Sequence, residues 1–126
     1  MSNLDALRAR IGAATGPDDQ IDDQLVRLLA PEWEQLSLDG HINLTASVDD
    51  ALALVERLLP GFPREWAWRL FTIPGAPPEV RYEASVFKPW RGAAFDWRKS
   101  APTAPLAILA ALLAALPAST KEMNDV

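Results

Sequence analysis

Cysteine is absent from the 126 residues. That excludes disulfide staples, thiolate nucleophiles and thiolate metal sites, and nothing in the chain calls for an oxidising compartment. Histidine is nearly absent, with His41 standing alone. A general base needs an orienting acid and a nucleophile within reach. Asp39 and Ser37 are its sequence neighbours without a spacing that builds such a set, so His41 reads as a loop residue. Long apolar runs are missing too. Ala101–Thr120 carries no charge, but its strongly apolar part is only Leu106–Leu116, between Pro105 and Pro117. A membrane span needs about 20 such residues, so this reads as a buried helix and no membrane association is expected. The N-terminus, MSNLDALRARIG, has charges where a secretory signal needs an apolar run of about 7–15 residues. A cytoplasmic protein is expected. Cations are the minority, 12 Lys and Arg against 17 Asp and Glu, which leaves no broad basic face for general nucleic-acid binding. There is no phosphate-cradling glycine loop and no zinc ligand set, so neither cofactor nor metal is expected.

What is present is enough for one domain. At this length folding buries roughly two-thirds of the unfolded chain's surface, and the 49% apolar content is ordinary for a globular core. Leu4, Leu7 and Ile11 have helical spacing before Gly12 and Gly16, which predicts an N-terminal arm or short helix over 1–16. A single domain follows over 17–117, then a flexible tail over 118–126. Pro17 and the acids Asp18, Asp19, Asp22 and Asp23 suit a helix start, and Ile21, Leu25, Leu28 and Leu29 form its apolar face up to Pro31. Pro31–Gly40 reads as a loop, and His41–Thr45 as a short edge strand. Ser47 with Asp50 three residues later is a capping-box variant. It opens a helix whose apolar face is Val48, Ala51, Leu52, Val55, Leu58 and Leu59.

Glu65–Ile73 alternates Trp66, Trp68 and Leu70 against Ala67, Arg69 and Phe71. Val80–Phe87 alternates in the same way, and the turn residues Pro74-Gly75-Ala76-Pro77-Pro78 separate the two. This predicts an antiparallel hairpin. Lys88–Ser100 follows as a loop with a possible short strand at Phe95–Trp97. In the last helix, about Thr103–Leu116, leucines and Ile108 oppose a face of alanines, which predicts burial on both sides by another helix of the chain or by a second copy. The order is helix, helix, strand, strand, helix. The fold class is α+β: a two- or three-stranded antiparallel sheet layered with helices, an α/β/α sandwich.

The segment Lys88–Lys99, KPWRGAAFDWRK, runs against the charge of the chain. Four cations against Asp96 alone give it a net +3, while the chain totals −5, so the remainder carries −8. Lys88, Trp90, Arg91, Trp97, Arg98 and Lys99 are therefore the candidate binding residues. Indoles stack bases and guanidinium and ammonium groups take phosphates. The bland reading is a connector whose tryptophans cover the core and whose cations line the rim. Asp18, Asp19, Asp22 and Asp23 place carboxylates four residues apart, a spacing that can hold a divalent cation, but a helix start explains them without one. Glu79 with Glu83, and Glu32 with Glu34, lack a companion that would suggest hydrolysis.

Four blocks, IDDQLVRLLAPEW, LTASVDDALALVERLLPG, EWAWRLFTI with VRYEASVF, and APTAPLAILAALLAAL, resemble in order and spacing the small phage and prophage proteins with the phage ABA sandwich domain. In that family a Leu/Ile-Asp helix precedes a Thr/Ser-rich block ending in Ala-x-x-x-Val, then a tryptophan-bearing hairpin and a closing Thr-Ala-Pro-Leu-Ala-Ile helix. The matching pieces here are Ile21-Asp22, Leu44–Val55, Trp66–Leu70 with Tyr82–Phe87, and Thr103–Ile108, covering about Ile21–Leu116. Family members often carry a cysteine in the last helix, and this chain has none. The resemblance implies an α/β/α fold and a mobile-element origin. It supplies no catalytic residues, since the family has no established activity.

The expectation is a non-catalytic phage or prophage accessory protein that counters host defence, by sequestering a nucleotide signal or by blocking a defence protein. One alternative is an acidic nucleic-acid mimic that inhibits a host enzyme through Asp18–Asp23. Another is a small enzyme whose reaction cannot be assembled from these residues. Exposed tryptophans and an alanine face also predict a homo-oligomer.

Overall fold

In the computed structural model the described residues are 3–59, 65–88 and 96–124, with side chains described through Leu116. Helix α1 (Asn3–Ala13) is the N-terminal arm. It is docked, because Leu7 and Ile11 share one face and both are buried. Helix α2 (Asp19–Leu29) starts at Asp18, whose carboxylate accepts the N–H groups of Gln20 and Ile21. That satisfies two of the donors a helix start leaves open. Ala30 ends it, and a 3-10 turn (Pro31–Trp33) leads into the short helix α3 (Glu34–Leu38), so the expected loop is partly helical. Gly40 closes α3 at φ +78°. Its N–H donates to the Ser37 carbonyl and the His41 N–H to that of Leu36, the paired bonds that a glycine in left-handed conformation allows.

The expected strand at His41–Thr45 does not form. Its backbone donors are already engaged: the Asn43 N–H donates to Asp50 at 2.8 Å and the Thr45 N–H to Asp22 at 2.7 Å, while the Ala46 and Ser47 N–H groups return to the Asn43 carbonyl. A turn that satisfies its own amides has none to offer a ladder. Ser47 then caps α4 (Val48–Leu58) through the Asp50 N–H, as the spacing predicts.

The sheet is three-stranded and antiparallel, in the order β1 (Ala67–Thr72), β2 (Tyr82–Phe87), β3 (Asp96–Ala101). The hairpin between β1 and β2 turns at Pro74-Gly75. Gly75 has φ +73° and the Ala76 N–H reaches the Ile73 carbonyl, which is the combination a Pro-Gly turn selects. The register pairs Leu70 with Ala84 and Trp68 with Val86, and Val86 in turn with Trp97. β3 is longer than the strand expected at Phe95–Trp97; Phe95 itself lies outside the described residues.

Helix α5 (Ala104–Asn124) packs on β2 and β3 with one side, and against α1 and α4 with the other. Leu106, Leu109, Leu112 and Leu113 are wholly buried, and so are Ala107, Ala111 and Ala115. The bulky and small faces are thus both covered by the same chain. At about 1.5–3 kcal/mol per fully buried large apolar side chain, this helix dominates the core. The α+β class is the one the sequence implies, and the order of elements matches in outline, with α3 and a full third strand added to it. α5 continues past the expected end at Leu116. Pro117 has no N–H to give the Leu113 carbonyl. Arg8 of α1 gives one instead, its Nε donating at 3.0 Å.

Candidate functional site

The polarity of the sheet decides where the candidate residues go. Side chains alternate along a strand. Trp97 and Lys99 therefore face the α5 side with Val86 and Ala84, while Asp96, Arg98 and Ser100 face away with Ser85 and Glu83. Trp97 is half-buried, and its ring lies 5.4 Å from that of Trp66 at an interplanar angle of 34°. Trp66 is 2% exposed. The Lys88 ammonium sits 4.8 Å above the Trp66 ring, close enough for a cation–π attraction. Trp66, Trp97, Lys88 and Lys99 thus share one side of the sheet, with Lys88 in line with Trp66 at one end and Lys99 two same-side rows further along, beyond Trp97. Lys88 follows the Val86 partner of Trp97 by two residues and Lys99 follows Trp97 by two, so both cations are same-side neighbours of the indole.

Arg98 does not join them. It lies on the opposite side, exposed, with its guanidinium on the Asp96 carboxylate at 3.1 Å and 3.9 Å from Glu83. The candidate residues on β3 are therefore divided between its two sides. Trp97 and Lys99 are on one side of it and Arg98 on the other. Trp90 and Arg91 lie outside the described residues. Trp66, which the alternation of the hairpin places on one face with Trp68 and Leu70, joins the cluster. Its position one residue before β1, in line with Lys88 after β2, is a consequence of register.

The outward side of the sheet carries a second group. Arg69, Ser85 and Arg98 are cross-strand partners in one row. The Arg69 guanidinium lies 4.2 Å from the Phe87 ring centre. Ser85 is 2% exposed and its hydroxyl has no hydrogen-bond partner; Asp96 Oδ1 is also buried and unpartnered. With Glu83 and Asp96 among these residues, the two guanidinium charges are balanced by two carboxylates.

The acidic cluster is absorbed by the fold. Asp18 caps α2. Asp22 is buried and accepts the Thr45 N–H, while Thr45 Oγ1 accepts the Asp18 N–H at 2.7 Å. Burial pushes the Asp22 carboxyl above its ordinary 3.8, against the Thr45 hydrogen bonds, which favour the charged form. Asp23 is 3.3 Å from Arg27. Asp19, Asp22 and Asp23 line a cleft of about 460 Å³ with Arg27 and Asn43. Among the described residues no group of three or more His, Asp or Glu is arranged to hold a metal ion. A second cleft of about 300 Å³ lies between α1 and α2, beside Leu7, Arg10 and Gln24. Neither cleft touches Trp97 or Lys88. Glu32 pairs with Arg57 and Glu83 with Arg98, and His41 is exposed. No helix among the described residues is long and apolar enough to cross a membrane.

Set against protein-family models, curated proteins and solved structures, the chain finds no match. The likeness to phage ABA sandwich proteins rests on the four sequence blocks alone.

Proposed function

We propose that this is a binding protein without chemistry of its own, and that it takes a planar anionic ligand of the nucleotide class against Trp97. The observation that carries this reading is the Trp66–Trp97 ring pair with Lys88 over Trp66, and Lys99 two residues along β3 from Trp97 on the same side of the sheet. Trp66 packs against Trp97 at an interplanar angle of 34°, which fixes the tilt of the half-buried ring. A base stacked there gains about 1–3 kcal/mol, and Lys88 and Lys99 are placed for its phosphates. A rigid platform loses little entropy on binding. The phage resemblance supports an accessory role in which such a ligand is a host defence signal, sequestered in the host cytoplasm. The acidic-mimic reading loses support, because Asp18, Asp22 and Asp23 serve the fold.

Calorimetry with cyclic oligonucleotides and ADP-ribose-type nucleotides tests the proposal. Saturable binding is expected, weakened about tenfold in Lys99→Glu, an exposed position whose change leaves the fold intact; a tenfold loss is about 1.4 kcal/mol. Trp97→Phe keeps a smaller stacking surface and should retain most of the affinity, whereas Trp97→Leu should lose it. Absence of heat across the panel removes the nucleotide and leaves a protein target as the remaining ligand class; equal affinity in Lys99→Glu places the bound nucleotide away from Lys99 and overturns the assigned site.

A further inference from the structure

We propose that the edge of β1, which pairs with no further strand among the described residues, is the contact by which two copies of this chain join, making one continuous six-stranded sheet. This does not depend on the ligand assigned to Trp97. A three-stranded sheet in the order β1-β2-β3 has two edges, and an edge strand is a template for another strand unless something guards it. The two edges of this sheet are not equivalent. β3 presents adjacent cations, Arg98 and Lys99, both exposed. β1 is AWRLFT, with one charge, no proline and no glycine. Its Phe71 is 47% exposed.

Symmetry makes the difference decisive. Two identical edge strands pair antiparallel about a two-fold axis normal to the sheet, so the residue at the axis meets its own copy. Alternation along each strand keeps both outer faces on the same side. For β3 the registers with greatest overlap centre on Arg98 or Lys99, and each sets a cation directly against itself. For β1 the register centred on Arg69 fails in the same way. The register centred on Leu70 does not. It places Leu70 against the partner's Leu70, Trp68 against the partner's Thr72, and Arg69 against the partner's Phe71. Directly opposed like charges are unfavourable and aromatic pairings favourable. Arg69 has no carboxylate partner among the described residues and already lies over Phe87, so a second ring completes its surroundings. Charge therefore selects both the edge and the register.

The test uses the full chain. Sedimentation equilibrium should give a mass near twice 13.8 kDa at high concentration. Phe71→Glu, which meets Arg69 of the partner subunit twice per dimer, should tighten association about tenfold, and Phe71→Lys should loosen it about tenfold. Opposite effects at one exposed position cannot come from misfolding. Because the natural chain has no cysteine, Leu70→Cys provides a single thiol that should cross-link to its own copy on mild oxidation, the opposed Cβ atoms being about 4.5–5.5 Å apart. Arg69→Cys and Phe71→Cys should not. A monomer at every concentration overturns the proposal. So does a dimer indifferent to charge at position 71, or one that cross-links through Arg69→Cys rather than Leu70→Cys.

Discussion

The helical layer and the sheet of this protein treat their polar groups in opposite ways. Where α2 meets the turn before α4, the polar side chains are engaged in holding the chain. Asp18 caps a helix, Asp22 takes a buried amide, Thr45 bridges back to α2, and Asp50 holds Asn43. Arg8 does the same between α1 and α5 through its Nε, while its Nη2 is the one buried side-chain nitrogen of the helical layer without a partner among the described residues. On the sheet, the Ser85 hydroxyl and one oxygen of Asp96 are buried without partners, Arg69 has only a ring, and Lys99 faces solvent. Buried polar groups in a finished structure are nearly always paired. The richer charge cluster, in the helices, is engaged in holding the chain, while the sheet keeps polar groups that the fold does not use.

Removing a buried contact in the helical layer should break this contrast most strongly. Asp22→Ala leaves the Thr45 N–H buried without an acceptor and should cost about 2 kcal/mol in urea unfolding, whereas Asp22→Asn keeps an acceptor and should cost far less. The pH dependence has a definite sign. A carboxyl whose folded pKa is raised favours the protonated form in the native state, so its contribution is greatest below 3.8 and is lost as the pH rises through the higher folded value. Wild type should therefore lose stability relative to Asp22→Asn as the pH is raised from acid towards neutrality. A parallel trend in the two proteins would mean that the carboxyl is not perturbed.

A smaller effect, and a sharper one, concerns Arg8. Arg8→Met should cost about 1–2 kcal/mol by leaving the Leu113 carbonyl without a donor. Pro117→Ala restores a backbone N–H at the right place, and in that background the cost of Arg8→Met should fall by more than half. A double-mutant cycle measures this coupling, and strict additivity would show that Arg8 does not replace the missing amide. The smallest effect is expected on the sheet. Ser85→Ala removes a hydroxyl that has no partner, so thermal stability should hold or rise by up to about 1 kcal/mol. A loss of stability would mean that the hydroxyl is bonded in solution and would narrow the contrast between the two layers.

Several features could be read before any coordinates, each with a local cause. Ser47 with Asp50, Pro74-Gly75, the alternation of Val86 and its neighbours, and the two-sided apolar pattern of Leu106–Leu116 all fix conformation through neighbours within a turn or a strand. The alternation of His41–Thr45 suggests an edge strand that does not form, because its amides are claimed by Asp22 and Asp50, which lie on two helices. α5 runs past Pro117 for the same kind of reason, since the donor that makes this possible is 105 residues away on α1. The candidate site was half legible: composition located Lys88, Trp97 and Lys99 in one segment, but it could not separate Arg98 from them.

By itself the amino-acid sequence determined which residues are apolar, where helices begin, where the hairpin turns and which stretch is rich in cations and rings, because these depend on side-chain chemistry and short-range sterics. Only the tertiary structure decided what those residues face. Strand register sent Trp97 and Arg98 to opposite sides of β3, brought Trp66 and Lys88 to the first of them, and committed Asp22 to an amide on another segment. Such pairings join parts of the chain far apart in sequence, and no local pattern encodes their geometry.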